Sequence, residues 1–280
     1  MRHYIIIGVM ALMLGLTASA QVTYTRADSL TVCRLLAQAP RQASTLWFAR
    51  QFHGTPYVAH TLEVNDDEQL VVNTRQLDCT TLVETVAALT LCVRQEKRQW
   101  TDFLQQLSTL RYRQGVLDGY ASRLHYFTDW IVDKQRMGLV SEVQQPNPPF
   151  TALQHIRVGY MSQHPDYYKA LKANAALVPV IRRQEQALTG KTFRYIPKGE
   201  VKNTALFRQA VKDGDIIAIT CNKKGLDIAH LGFAVWRQDG LHLLNASQLH
   251  RKVVTEPMTL RQYLQKHPSH TGIRVLRLKE

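Results

Sequence analysis

Cysteine is scarce in this chain. Cys33, Cys79, Cys92 and Cys221 are the four among 280 residues, too few for a disulfide scaffold. No CxxC pair occurs, and no cysteine–histidine cluster has zinc-finger spacing, which excludes a structural zinc site of that kind. Past residue 20 no apolar run approaches the roughly 20 residues that a membrane-spanning helix takes. Internal repeats, low-complexity tracts and nucleic-acid motifs are missing as well. The formal net charge is +13, yet lysine and arginine are dispersed along the chain as on a solvated surface. What remains is an ordinary globular composition, 45% hydrophobic and 20% charged.

The first twenty residues stand apart. Arg2 gives a short basic start, Ile5 to Leu16 are apolar, and Ala18-Ser19-Ala20 follow. That is the layout of a secretory signal peptide with a small-residue cleavage site. The expectation is export, with residues 1–20 removed and residues 21–280 forming a single domain. A basic exported protein can meet anionic polymers such as cell-wall glycan or lipid headgroups. An even cysteine count permits disulfides there. If Cys79 stays a thiol, at most one can form among Cys33, Cys92 and Cys221.

The first half reads as helical. Apolar spacing predicts helices over 28–52, broken near Pro40, over 79–94, 101–113 and 121–136, and a long one over 165–188. A short strand is expected at 69–72, and "QQPNPPF" at 144–150 is a loop. The last third changes character. "GDIIAIT", "HLGFAVW", "LHLLNAS", "KVVT" and "GIRVLRL" are rich in β-branched and apolar residues and are separated by turn residues. Helices first and meandering strands afterwards imply an α+β fold, an antiparallel sheet packed on helices.

Within this pattern one cysteine is placed for chemistry. "LDCTTLVE" sets Cys79 behind Asp78, a good N-cap, so the thiol sits at the start of a helix. Thr81 and Glu84 also fit a capping box, which would start the helix three residues later. At either start the exposed amides and the helix dipole favour a thiolate and are expected to lower its pKa. The Cys79 backbone N–H is then a natural oxyanion donor.

A nucleophilic cysteine needs a histidine to manage its proton and a group to orient that histidine. His230 opens a strand in which His230, Gly232, Ala234 and Trp236 share one face. Asp239-Gly240 is a hairpin signal. Whether the loop has two residues or four, odd-numbered residues of the next strand fall on the His230 face. Asn245 and Ser247 qualify, and His250 does not unless a bulge intervenes. Asn245 is expected to accept the Nδ1–H of His230, as in Cys-His-Asn sites.

"LDCTTLVE", "GDIIAIT", "IAHLGFAVW" and "LLNAS", in that order, resemble the NlpC-type papain-like cell-wall hydrolases. The fuller pattern adds "GTPYV" and "SRLHYFTDW". It is similar to the N-acetylmuramoyl-L-alanine amidase-like branch of that superfamily in Gram-negative bacteria, over most of residues 45–278. Asn245 departs from the superfamily, where a histidine is common. The resemblance implies a papain-like fold, with a catalytic helix on the antiparallel sheet and additional helices inserted between nucleophile and sheet. It implies a periplasmic cysteine amidase that acts on the muramoyl–alanine amide of peptidoglycan fragments and needs no metal or other cofactor. Cys79 would be nucleophile, His230 base and acid, and Asn245 orienter. Tyr57, Asp78, Arg123, His125 and Tyr126 would line the substrate side, with Arg123 either pairing a substrate carboxylate or lying on the surface over a buried stem. The alternatives are a γ-D-glutamyl-diamino acid endopeptidase and a catalytically silent wall-binding protein.

Overall fold

The computed structural model describes residues 22–279; the expected signal peptide lies outside them. The order begins with strand β1 (Val22–Thr23), helices α1 (Arg26–Gln38) and α2 (Thr45–Gln51), strand β2 (Leu70–Val71), and helices α3 (Cys79–Arg94), α4 (Trp100–Arg111) and α5 (Phe127–Arg136). Strands β3 (Val140–Val143) and β4 (Ala152–His155) lead to helices α6 (Tyr160–Gln163), α7 (Lys169–Ala173) and α8 (Leu177–Leu188). Then come strand β5 (Thr192–Pro197), helix α9 (Ala205–Ala210), strands β6 (Ile216–Cys221), β7 (Ile228–Trp236), β8 (Leu241–Ser247) and β9 (Lys252–Thr255), helix α10 (Leu260–Gln265) and strand β10 (His270–Leu278).

The α+β expectation holds. The main sheet runs β4-β5-β10-β6-β7-β8-β9, with β3 added to β10, and its neighbours pair antiparallel. One face carries Ile216, Ala218, Leu231, Phe233, Val235, Leu244 and Ala246, which pack into one core with Leu82, Val86 and Leu89 of α3 and with the other early helices. The opposite face carries Ile217, Ile219, Ala234 and Leu243 and is covered by Phe207 of α9 and Leu260 and Leu264 of α10. Helix α3 is buried nearly all round from Thr81 to Val93, as a central helix between sheet and bundle must be.

Two helical expectations are corrected. The 165–188 segment is a short 3-10 turn at Pro165–Tyr167 followed by α7 and α8, the break between the two helices falling at Asn174, which is extended (φ −136°, ψ 95°). Likewise 121–136 is a 3-10 turn at Tyr120–Ser122 and then α5, with Arg123 to Tyr126 extended between them. Asp227 decides that break: its Oδ2 accepts the Thr128 amide at 2.8 Å, so the first turn of α5 is capped from across the molecule.

The hairpin between β7 and β8 takes the four-residue loop. Trp236 pairs with Leu241 and Phe233 with Leu244, while Arg237 N–H donates to the Gly240 carbonyl at 2.8 Å. Gly232 is required at this crossing. A Cβ there would lie 2.6 Å from the Leu244 carbonyl oxygen, well inside contact distance.

Candidate active site

Cys79 is the first residue of α3. Asp78 caps the helix, its Oδ1 accepting the Thr81 amide at 2.8 Å, and the Thr81 hydroxyl takes the Asp78 amide at 2.9 Å. The capping box is therefore Asp78–Thr81 and not Thr81–Glu84. Glu84 serves elsewhere: its Oε2 accepts the Nε–H of Arg111 at 2.7 Å in a fully buried pair, and Arg111 also donates to the Val71 carbonyl at 2.6 Å. The segment ahead of Asp78 is laced to the sheet. Gly54 and Thr55 exchange backbone hydrogen bonds with Val253, Tyr57 N–H donates to the Arg251 carbonyl, Leu77 N–H to Pro56 and Val58 N–H to Leu77.

From the other side β7 brings His230. Its Nε2 lies 2.9 Å from Asn245 Oδ1, and its ring stacks on Tyr263 of α10 at 6.5 Å between centroids. Parity chose the right strand face, and the register makes Asn245 a diagonal neighbour. The ring nitrogen is corrected, however: Nε2 and not Nδ1 meets Asn245.

Cys79 and His230 line one cavity of about 180 Å³, together with Thr80, His125, Tyr126, Asp227 and Leu231 among others. The sulfur receives backbone N–H groups from Leu231 and Thr80, but burial and the Asp78 carboxylate outweigh them and push the Cys79 thiol up to about 12. This reverses the expected lowering, because desolvating a thiolate costs more than the helix end returns. Burial also pushes the His230 imidazole down, against the hydrogen bond to Asn245 Oδ1 and the charges of Glu256 and Asp78. Both shifts favour the uncharged forms, a protonated thiol and a neutral imidazole.

A larger cavity of about 380 Å³ adjoins this one and shares Thr80, His125 and Tyr168 with it. Asp78, Arg123 and His125 line it. Arg123 is buried, and its guanidinium already faces Glu63 and Glu68 and lies over the Tyr120 ring; it is neither a solvated surface residue nor a lone cation. His125 Nε2 sits 3.0 Å from the Tyr120 carbonyl, and burial beside Arg123 pushes its pKa down to about 3, so it meets a ligand as a neutral ring. Tyr126 lines the smaller cavity, but its hydroxyl is engaged, donating to Glu185 Oε1 at 2.7 Å and accepting the Met161 amide at 3.0 Å. Burial pushes the Tyr57 phenol up, and coupling to the neighbouring Cys79 and Asp78 adds to the shift.

Sequence reasoning missed Glu256 and Tyr263, and set His250 aside by strand parity. Tyr263 belongs to a stack with His267 and His270, and histidine number alone was no guide to it. His250 is in the turn after β8, where strand parity no longer applies.

The family model AmiA-like, described as N-acetylmuramoyl-L-alanine amidase-like, matches residues 47–273. The chain belongs to that family. It is 41% identical to an N-acetylmuramoyl-L-alanine amidase from Bacteroides uniformis, with 86% of this chain and 99% of that chain covered and a TM-score of 0.79. A Bacteroides fragilis protein provisionally described as a xylanase is 43% identical over 82% of this chain and 99% of its own, with a TM-score of 0.77. A Legionella pneumophila protein at 22% identity and TM-score 0.68, covering 91% of this chain and 95% of its own, shares the fold. No curated protein matches the chain. Among the described residues of this family member no helix is long and apolar enough to cross a membrane.

Proposed function

We propose that the protein is a papain-like cysteine amidase, exported to the periplasm as one unit of residues 21–280, that cleaves the amide between N-acetylmuramic acid and L-alanine in peptidoglycan fragments. The observation that carries the chemistry is the convergence on one cavity of Cys79, at a helix start, with His230, whose ring is hydrogen-bonded to Asn245. Family membership carries the substrate.

In the reaction His230 Nδ1 takes the Cys79 proton as sulfur attacks the amide carbon, so both groups pass from neutral to charged only with substrate present. The oxyanion lies against the backbone N–H of Cys79 at the positive end of α3. Collapse breaks the carbon–nitrogen bond. The imidazolium returns its proton to the leaving amine, and a thioester remains. His230 then takes a proton from water, whose oxygen attacks the thioester and frees the acid and the thiol. Asn245 holds the ring throughout. A glycosidase reading is not favoured, since that chemistry takes two carboxylates facing each other across the bond and the carboxylate in this cavity, Asp227, is engaged with the Thr128 amide.

The test is digestion of purified muropeptides followed by mass spectrometry. The expected product is the whole stem peptide, with Cys79→Ala slower by about 10⁴-fold or more. A shortened stem identifies the γ-D-glutamyl-diamino acid endopeptidase instead. No turnover with tight fragment binding identifies a silent wall-binding protein, and undiminished release by Cys79→Ala removes Cys79 from the chemistry.

A further inference from the structure

The polar chain that begins at His230 does not stop at Asn245. The Asn245 side-chain amide, itself buried, donates from Nδ2 to Glu256 Oε1 at 2.9 Å and more weakly to the Leu243 carbonyl at 3.4 Å. Glu256 follows β9 directly and has no exposure. Its other oxygen, Oε2, meets His250 Nε2 at 3.1 Å, and its backbone carbonyl meets His242 Nδ1 at 2.9 Å. The His250 side chain is 39% exposed, so the line runs from the catalytic cavity to solvent.

The chemistry of the donors fixes every link. A carboxylate only accepts. Glu256 therefore forces the Asn245 amide to turn its NH₂ inward, which aims Oδ1 at His230. That oxygen can only accept, so His230 Nε2 must carry the ring proton. Nδ1 is then unprotonated and able to receive the thiol proton. Without Glu256 the Asn245 amide keeps only the longer bond to Leu243 and is free to flip. A flipped amide donates to Nε2, moves the proton to Nδ1 and removes the base.

We infer that Glu256 is a positioning residue which, seated by His250, sets the amide orientation of Asn245 and thereby the tautomer of His230. Its kinetic consequence rests on the amidase reading above; its consequence for the tautomer does not. Glu256 also contributes charge; Asp78, His267 and His270 are further charged or titratable groups coupled to His230, and Tyr263 stacks on its ring.

Two variants separate orientation from charge. Glu256→Leu removes the acceptor and the charge. Glu256→Gln removes the charge but keeps a carbonyl for Asn245 and an amide for the His250 ring. Histidine ring ¹⁵N spectra, with the His230 signals assigned from a His230→Gln variant, are expected to show the Nε2–H form in the wild type and in Glu256→Gln, and a mixture in Glu256→Leu. On muropeptides Glu256→Leu is expected to lose about 10–100-fold in kcat with KM little changed, the scale seen for outer-shell partners, while Glu256→Gln stays within about threefold by keeping the hydrogen bond. In Glu256→Gln the acid limb of kcat/KM moves to lower pH, because the lost carboxylate had been raising the His230 pKa. An unchanged tautomer in folded Glu256→Leu, or a Glu256→Gln as damaged as Glu256→Leu, overturns the inference. If Glu256→Leu does not fold, the pair Asn245→Asp and Asn245→Asp/Glu256→Gln decides. Two facing carboxylates should cripple the single variant and the double should recover most of its kcat; a double no better than the single is the contrary result. An inactive wild type with the Nε2–H tautomer and its loss in Glu256→Leu would discard the amidase reading and keep the positioning role.

Discussion

The two sides of the cavity are built on opposite principles. Cys79 is held by its own neighbourhood: the cap that starts its helix joins residues 78 and 81, three apart in the chain. His230 is held by residues that the sheet gathers, Asn245 and, through it, Glu256 and His250. On the helical side, a change should act mainly on stability, because the thiol's position follows from whether α3 is packed. On the sheet side it should act on turnover, because the proposed base, His230, can be disarmed while the sheet stays folded.

The largest expected effect tests the helical side. Arg111→Met leaves Glu84 buried without its partner and should cost about 3–5 kcal/mol of stability, read as a lower urea midpoint, with the kcat of the surviving folded enzyme near wild type. A collapse of kcat at unchanged stability would break the contrast. On the sheet side, Gly232→Ala must push β8 away from β7 and should cost about 1–3 kcal/mol. Its distinguishing mark is a fall in kcat beyond what the folded fraction explains, since Asn245 moves with β8. The smallest effect sharpens the comparison at the thiol itself. Asp78→Ala removes the cap, at about 1 kcal/mol, but also removes a carboxylate that raises the Cys79 pKa. The sign follows: thiolate forms at lower pH, so alkylation by iodoacetamide should quicken at pH 8 while the melting temperature drops. Slower alkylation would mean that the cap's orientation of the helix end outweighs its charge.

How much could be read in advance follows the same division. The start of α3, the pairing of β7 with β8 and the face of Asn245 were legible because each depends on spacing within a few residues or on one hairpin. The sequence did not show β3, β4 or β5. Their segments "VSEV", "ALQH" and "TFRYIP" carry polar residues or Pro amid few apolar ones, and become strands only because β10 or a neighbour offers its edge. The true start of α5 depends on Asp227, 99 residues away, and no local pattern encodes that. The thiol's raised pKa was missed for a related reason. Helix position is a local property, whereas desolvation is set by everything that surrounds the sulfur. Glu256 gave no signal, being one acidic residue beside a proline.

The laced segment at Gly54–Val58 has a consequence for tolerance to change. It joins β9 to the chain that enters α3 through main-chain groups: Gly54 N–H to the Val253 carbonyl at 2.9 Å, Val253 N–H to Thr55 at 2.8 Å, and Leu77 N–H to Pro56 at 3.0 Å. The spacing between Cys79 and the sheet is thus ruled by peptide geometry, like the span of a hinge plate screwed to both leaves. Side chains along it can vary without altering that span, whereas one inserted residue would shift every bond by a peptide and move Cys79 away from the cavity it lines with His230.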